Sequence, residues 1–231
     1  MRKTPFASFI MGLMIAAPLS GCFSTATNRL PQTVPAGEVR HIVSSDLTRF
    51  ESDECFLGLD CEIDDPQQVT DPGWIPLVYS LRVGLKEGLE LGATLNSWAT
   101  PGLDVKVRVF ENKQLALSID PGVQVTPAFL DHLPTAIFVD LPVLLGVRVS
   151  PTVQWLISAR GGYTNAGSGN RSNGTPFVHS GMVAGLGTGV HVRLLPHLGF
   201  VATIDAVQEI ATGGLFCPSL SVGLIVGEQG G

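Results

Sequence analysis

The sequence predicts an all-β chain that closes as an antiparallel barrel and crosses a membrane with its strands. Three observations predict it. Apolar residues alternate with small or charged ones through most of the chain, a period-two strand signal. Residues 181 to 194 show it best: Met182, Ala184, Leu186, Val190, Val192 and Leu194 share one face, while Gly181, Gly185, Gly187, Gly189, His191 and Arg193 share the other. That polarity suits a strand with its apolar face to lipid and its small, charged face to a crowded lumen. The second observation is composition. The 231 residues are 45% hydrophobic, only 15% charged, and include 27 glycines, too apolar for disorder and too glycine-rich for a helical fold. Beyond the N-terminus no apolar run reaches the roughly 18 residues of a transmembrane helix. The third is the connections, which alternate in length: short near residues 86, 112, 150 and 196, and longer around 50–74, 98, 130, 170 and 212. Outer-membrane barrels have short periplasmic turns and long outer loops.

Taken in order, residues 1–21 read as a signal peptide. Arg2 and Lys3 form the basic start, and Phe6 to Leu19 the apolar stretch. Residues 22–36, rich in Thr, Ser, Pro and Asn, read as a flexible tether. Residues 37–228 read as the barrel. Gly37 to Thr48 is its first and weakest strand. The acidic stretch Glu51 to Gly73 is a long loop holding Cys55 and Cys61, a plausible disulfide in an oxidising compartment. Cys217 is left over or pairs with one of these.

Regular strands follow over Ile75 to Leu85, Leu89 to Ser97 and Leu103 to Val109. One strand is expected through Leu115, Leu117, Ile119 and Val123, another from Ile137 to Val147, and another from Val153 to Ala159. The strand over 181–194 comes next, then Leu198 to Asp205 and Leu215 to Val226. The total is about ten strands (eight to ten) in an up-and-down meander, most of them near the span a bilayer needs. An open sheet would leave edge N–H and C=O groups unsatisfied in lipid, so closure is required. Trp74, Trp98 and Tyr163 fall near the predicted outer strand ends, and Trp155 near an inner end.

The small face carries Arg40, Arg82, Lys106, Arg108, Arg148, Arg160 and Arg193, against Glu38, Glu90, Asp104, Asp120, Asp140 and Asp205. A barrel of this size is nearly filled by its own side chains. Unpaired buried charge is costly, so a plugged, salt-bridged lumen is expected rather than a wide pore. A narrow polar channel along the arginines is the alternative.

Other chemistry is weak. His179 and Ser180 are neighbours on one strand and point to opposite faces, so they do not form a nucleophile–base pair. His132 and Asp131 lie in a loop. Gly185-Leu186-Gly187-Thr188-Gly189 lacks the following helix and the Lys-Ser/Thr of a phosphate loop. The acids of Glu51 to Asp71 lack EF-hand spacing. No enzyme activity, metal or cofactor is expected, and the net charge of −6 gives no footprint for nucleic acid.

Leu19-Ser20-Gly21-Cys22 resembles the lipobox of bacterial lipoproteins, which implies cleavage before Cys22 and its acylation. Phe23 stands where many inner-membrane lipoproteins carry Asp, which favours the outer membrane. With Gly84 to Gly92 (Gly-Leu-x-x-x-Leu-x-Leu-Gly) and Gly102 to Lys106, the chain resembles a poorly characterised group of bacterial outer-membrane β-barrel lipoproteins. The ending Glu-Gln-Gly-Gly departs from the C-terminal aromatic of many such barrels. The resemblance implies outer-membrane lipid as surroundings, and the barrel-assembly and lipoprotein-sorting machineries as partners. An even strand number with a lipidated N-terminus puts both chain ends and every short turn on the periplasmic side, and the expected role is structural, adhesive or minor transport. Two other readings stay open: a tethered soluble periplasmic barrel that binds an apolar ligand in the manner of lipocalins, and an outer-membrane lipid-modifying enzyme. The first would put Arg82, Arg108 and Arg160 in water and the Leu/Val face inside. If the membrane reading holds, Leu186→Arg should disturb insertion far more than Gly187→Ser.

Overall fold

The computed structural model describes residues 28–49, 51–52, 72–96, 100–126, 135–168, 177–210 and 215–227. The strands are β1 (Val39–Arg49), β2 (Glu51–Ser52), β3 (Pro72–Lys86), β4 (Leu89–Asn96), β5 (Pro101–Glu111) and β6 (Leu115–Ile119). They continue with β7 (Gly122–Thr126), β8 (Thr135–Arg148), β9 (Val153–Ser168), β10 (Phe177–Leu195), β11 (Leu198–Glu209) and β12 (Leu215–Val226). Neighbours in sequence pair antiparallel, and β1 pairs β12 from His41↔Val226 to Thr48↔Ser219, which closes the barrel.

The twelve strands make ten staves. β2 continues β1 along β12 in the same register, with Glu51 opposite Phe216. β6 and β7 likewise form one stave between β5 and β8. The expected single strand through 115–123 is interrupted at Asp120–Pro121, and the cause is two missing donors. Val105 N–H donates to Pro121 O and Asp120 N–H donates to Pro142 O, yet neither proline has an N–H to return.

The short connections, at residues 87–88, 112–114, 149–152 and 196–197, lie at one end of the barrel. Gly88, at φ +76°, supplies the left-handed residue of the first. The start of β1 and the end of β12 meet there too, with His41 opposite Val226, and Gly227 N–H donates to His197 O at 3.1 Å. The opposite ends of the strands, at Ser52, Pro72, Asn96, Pro101, Thr126, Thr135, Ser168, Phe177, Glu209 and Leu215, make the other end of the barrel.

The faces sort as the alternation predicts. Leu91, Leu103, Val105, Leu141, Leu186, Ile204 and Leu224 stand exposed on the outer wall, Leu186 at 72%. Arg82, Glu90, Lys106, Asp120 and Ser221 are wholly buried on the inner one. This is the reverse of what a soluble carrier of apolar ligands requires, so the lipocalin-like alternative does not describe this barrel. Trp155, half exposed near the short-turn end, donates from Nε1 to Thr188 Oγ1 at 2.7 Å.

One expectation is corrected. The described part of the 22–36 tether, residues 28–36, does not hang free but runs inside the barrel. Leu30 and Val34 are each 1% exposed, and Asn28 is buried. Leu30 packs with Ile42, Leu156, Val201 and Ile225 in a small apolar core within the lumen. The segment leaves at the short-turn end, where Ala36 bridges Gly84 and Gly37, at φ +80°, turns the chain towards β1. It carries no periodicity because it belongs to no sheet, so its composition alone resembles a linker. The 1–21 signal peptide, Cys22, Cys55, Cys61, Trp98, Asp131 and His132 lie outside the described residues.

Candidate functional site

The candidate site is the lumen and the segment that fills it. Inward positions on β3, β4, β5 and the residue after β6 bring Arg82, Glu90, Asp104, Lys106 and Asp120 together. The cross-strand registers Arg82↔Gly92, Glu90↔Lys106 and Gly92↔Asp104 set them within reach of one another. Arg82 Nη1 donates to Glu90 Oε1 at 2.7 Å and Arg82 Nη2 to Asp104 Oδ2 at 3.1 Å. Arg82 also lies 3.4 Å from Asp120, and Lys106 Nζ donates to Glu90 Oε1 at 2.8 Å. Glycine makes the room: a Cβ at Gly92 would lie 2.2 Å from Asp104 Oδ1.

Alone, this set has two cations against three carboxylates. The third cation is Arg29, from the stretch read as a tether. It lies 3.2 Å from Asp120 and 3.7 Å from Asp104, and it donates to the Asp120 carbonyl at 3.2 Å. Three cations then face three carboxylates within these ion pairs. Buried charges are tolerated when paired and hydrogen-bonded in this way. Glu90 also accepts the Val34 N–H at 2.7 Å, and Arg40 donates to Gln32 O at 3.2 Å. Asn28 donates to Asp46 at 3.1 Å and to the Ser221 hydroxyl. The barrel wall therefore grips the segment at residues 28, 29, 32 and 34.

The other expected lumen charges are placed separately. Asp140 and Arg160 form their own pair at 3.6 Å. Asp205 accepts from Ser158 Oγ at 3.2 Å. Arg108 stands at the short-turn rim, where it pairs with Glu87 and Glu111 and lines the mouth of the lumen. Arg148 and Arg193 line the short-turn mouth with Arg40, His191, Gln32 and Val34, around a cavity of about 380 Å³. Arg148 is exposed there, so this rim position corrects its assignment to the lumen network.

Sequence reasoning missed Asp46 and Glu209, both inward and buried. Strand parity already pointed both inward. Glu209 was lost because β11 runs four residues past Asp205, its expected end. It also missed the apolar inner residues Phe138, Leu144, Leu156 and Val201. A Cβ at Gly187 would lie 2.0 Å from Asp205 Oδ1 and 2.4 Å from Ser158 Oγ, so these two side chains have to turn aside to admit one.

Among the described residues no group of three or more His, Cys, Asp or Glu is arranged to hold a metal ion. Ser180 is exposed, and its partner across the strands is Asn165.

No protein-family model matches the chain, and no curated protein matches its sequence. Solved structures do show a likeness. Neisserial surface protein A (NspA) is 10% identical at a TM-score of 0.41, over 82% of this chain and 96% of that one. Ail, the attachment invasion locus protein of Yersinia pestis, is 12% identical at 0.37, over 83% and 98%. The N-terminal β-barrel domain of Pseudomonas aeruginosa OprF is 12% identical at 0.33, over 80% and 96%. The barrel fold rests on the strand pairing described above.

Proposed function

We propose that this chain is a lipid-anchored β-barrel of the bacterial outer membrane, with a structural or adhesive role and a lumen closed by its own N-terminal segment. The observation that carries the reading is the inverted polarity: Leu and Val outside, ion pairs inside. A belt of exposed leucines and valines around a barrel whose charges are buried is stable in lipid and a liability in water. Acylation at Cys22 adds a second hold on the same membrane. The filled lumen argues against a wide transport path, because residues 28–36 occupy it and are bonded to its wall. The long connections at one end are then the surfaces available to partners. Assembly of the barrel and delivery of the lipid-bearing chain fall to the barrel-assembly and lipoprotein-sorting machineries. No catalytic role belongs to this reading.

Fractionation tests it. After removal of the acyl group, the protein should resist carbonate extraction from membranes and should migrate differently on gels when heated. Release into the carbonate wash as a soluble, heat-insensitive species would overturn the membrane barrel.

A further inference from the structure

At the short-turn mouth, neighbouring connections are tied into one ledge. Arg148 N–H donates to Gln114 O at 2.7 Å, which joins the 149–152 turn to the 112–114 turn. Arg193 N–H donates to Thr152 O at 2.8 Å, which joins the same turn to the end of β10. Ser150 Oγ accepts from the Val153 N–H at 3.0 Å and holds the turn in shape. The ledge borders two hollows. One, of about 380 Å³, sinks into the mouth, with Gln32 and Val34 of the inner segment in its walls and Arg40, Arg108, Arg148 and Arg193 around it. The other, of about 350 Å³, lies among Lys113, Arg148 and Arg193. Both are lined by Arg148, Ser150, Pro151 and Arg193, so they adjoin.

We propose that the deeper hollow binds a small soluble molecule bearing two or more phosphate or carboxylate groups. Among the described residues its walls set four arginines against two carboxylates, Glu87 and Glu111, and both of these pair with Arg108. Arg148 and Lys113 are exposed and form no ion pair among the described residues, so their charge is available at the entrance. Gln154 waits further in. It is 6% exposed and lines the hollow, and its Nε2 donates to nothing among the described residues. A buried donor without an acceptor is costly, and an oxyanion relieves that cost. Guanidinium groups present forked N–H donors that match phosphate and carboxylate oxygens. The volume exceeds what a single inorganic oxyanion needs and falls in the range of small-molecule sites, about 300–1,000 Å³. The barrel wall separates the hollow from lipid, and residues 30–36 line its inner side. It is a blind pocket that fills from the water at that end, whichever compartment that end faces.

Titration calorimetry of the full, folded chain in an uncharged detergent tests the proposal, with tripolyphosphate, citrate and inorganic phosphate as ligands. Tripolyphosphate should bind at one site per chain, citrate should compete with it, and inorganic phosphate should bind more weakly than either. Arg148→Gln should raise the Kd for tripolyphosphate about tenfold and Lys113→Gln about threefold, as hydrogen bonds to a charged group are lost. Gln154→Leu should raise it too, while the urea midpoint holds or rises, because an unpaired buried donor is removed. Lys86→Gln removes a charge at the same end but outside the hollow, and should change nothing. Circular dichroism reports that each variant keeps its strands. Absence of saturable binding overturns the site. An equal loss with Lys86→Gln overturns it as well, since the attraction would then be diffuse. Binding that Gln154→Leu leaves unchanged overturns the deeper hollow as the seat of the ligand. Capture of phosphatidylglycerol vesicles through Arg148, without binding of free tripolyphosphate, overturns the soluble ligand.

Discussion

Two walls of the lumen meet the inner segment in different ways. The β3–β6 wall offers long charged side chains, Arg82, Glu90, Asp104, Lys106 and Asp120, and receives Arg29. The wall of β1, β9, β11 and β12 offers Ile42, Leu156, Val201 and Ile225, and receives Leu30. Arg29 and Leu30 are neighbours, and an extended chain sends neighbours to opposite sides. One dipeptide thus places an arginine in the ionic cluster of one wall and a leucine in the apolar cluster of the other, a wall that also carries buried Asp46, Arg160, Asp205 and Glu209. The ionic wall confers specificity, since each carboxylate there must meet its cation. The apolar wall contributes burial, which needs only shape. The outer surface is the third environment, where neither pairing nor shape matters as long as side chains are apolar.

Mutations should separate the three. The largest effect is expected from Glu90→Ala on the ionic wall. It removes the acceptor shared by Arg82, Lys106 and the Val34 N–H. Breaking a buried pair by removing one partner costs about 3–5 kcal/mol. Urea unfolding of the detergent-solubilised barrel should show that loss, and an unchanged midpoint would mean the ion pairs are incidental. On the apolar wall, Leu30→Ala should cost about 2–4 kcal/mol in the same assay, as other large-to-small core changes do. A loss as large as that of Glu90→Ala would make the two walls equivalent.

On the outside, Leu186→Arg sits midway along β10 and should cost about 2–4 kcal/mol on insertion. Leu195→Arg, at the short-turn end of the same strand, should cost under about 1 kcal/mol. Recovery of folded protein from lipid vesicles measures both, and equal recovery would remove the lipid belt. The smallest effect belongs to Arg108→Ala, whose pairs with Glu87 and Glu111 lie at the solvated rim. A change within about 1 kcal/mol is expected by urea unfolding.

Much of this barrel was legible in the sequence because a strand turns a chemical alternation directly into inside and outside. Arg82, Glu90, Asp104, Lys106 and Asp120 were placed inward by parity alone, and they meet there. What parity cannot give is height along the barrel. Arg108 and Arg148 share the inward parity, yet sit at the rim, where water or surface acids take them. Residues 28–36 were illegible for a different reason. Their order comes from the barrel around them rather than from any internal repeat, so Pro, Thr and Asn looked like a linker. The unequal charge count in the ionic cluster was the available clue: two cations among three buried acids call for a third, but the count alone does not choose Arg29 over Arg49, which lies nearer in sequence.

The central claim is that residues 28–36 close the lumen. Conductance of the full-length, folded protein in a planar bilayer tests it most directly. The expected result is no steady conductance above the bare membrane. A large, stable, ohmic conductance from the unmodified chain would contradict it.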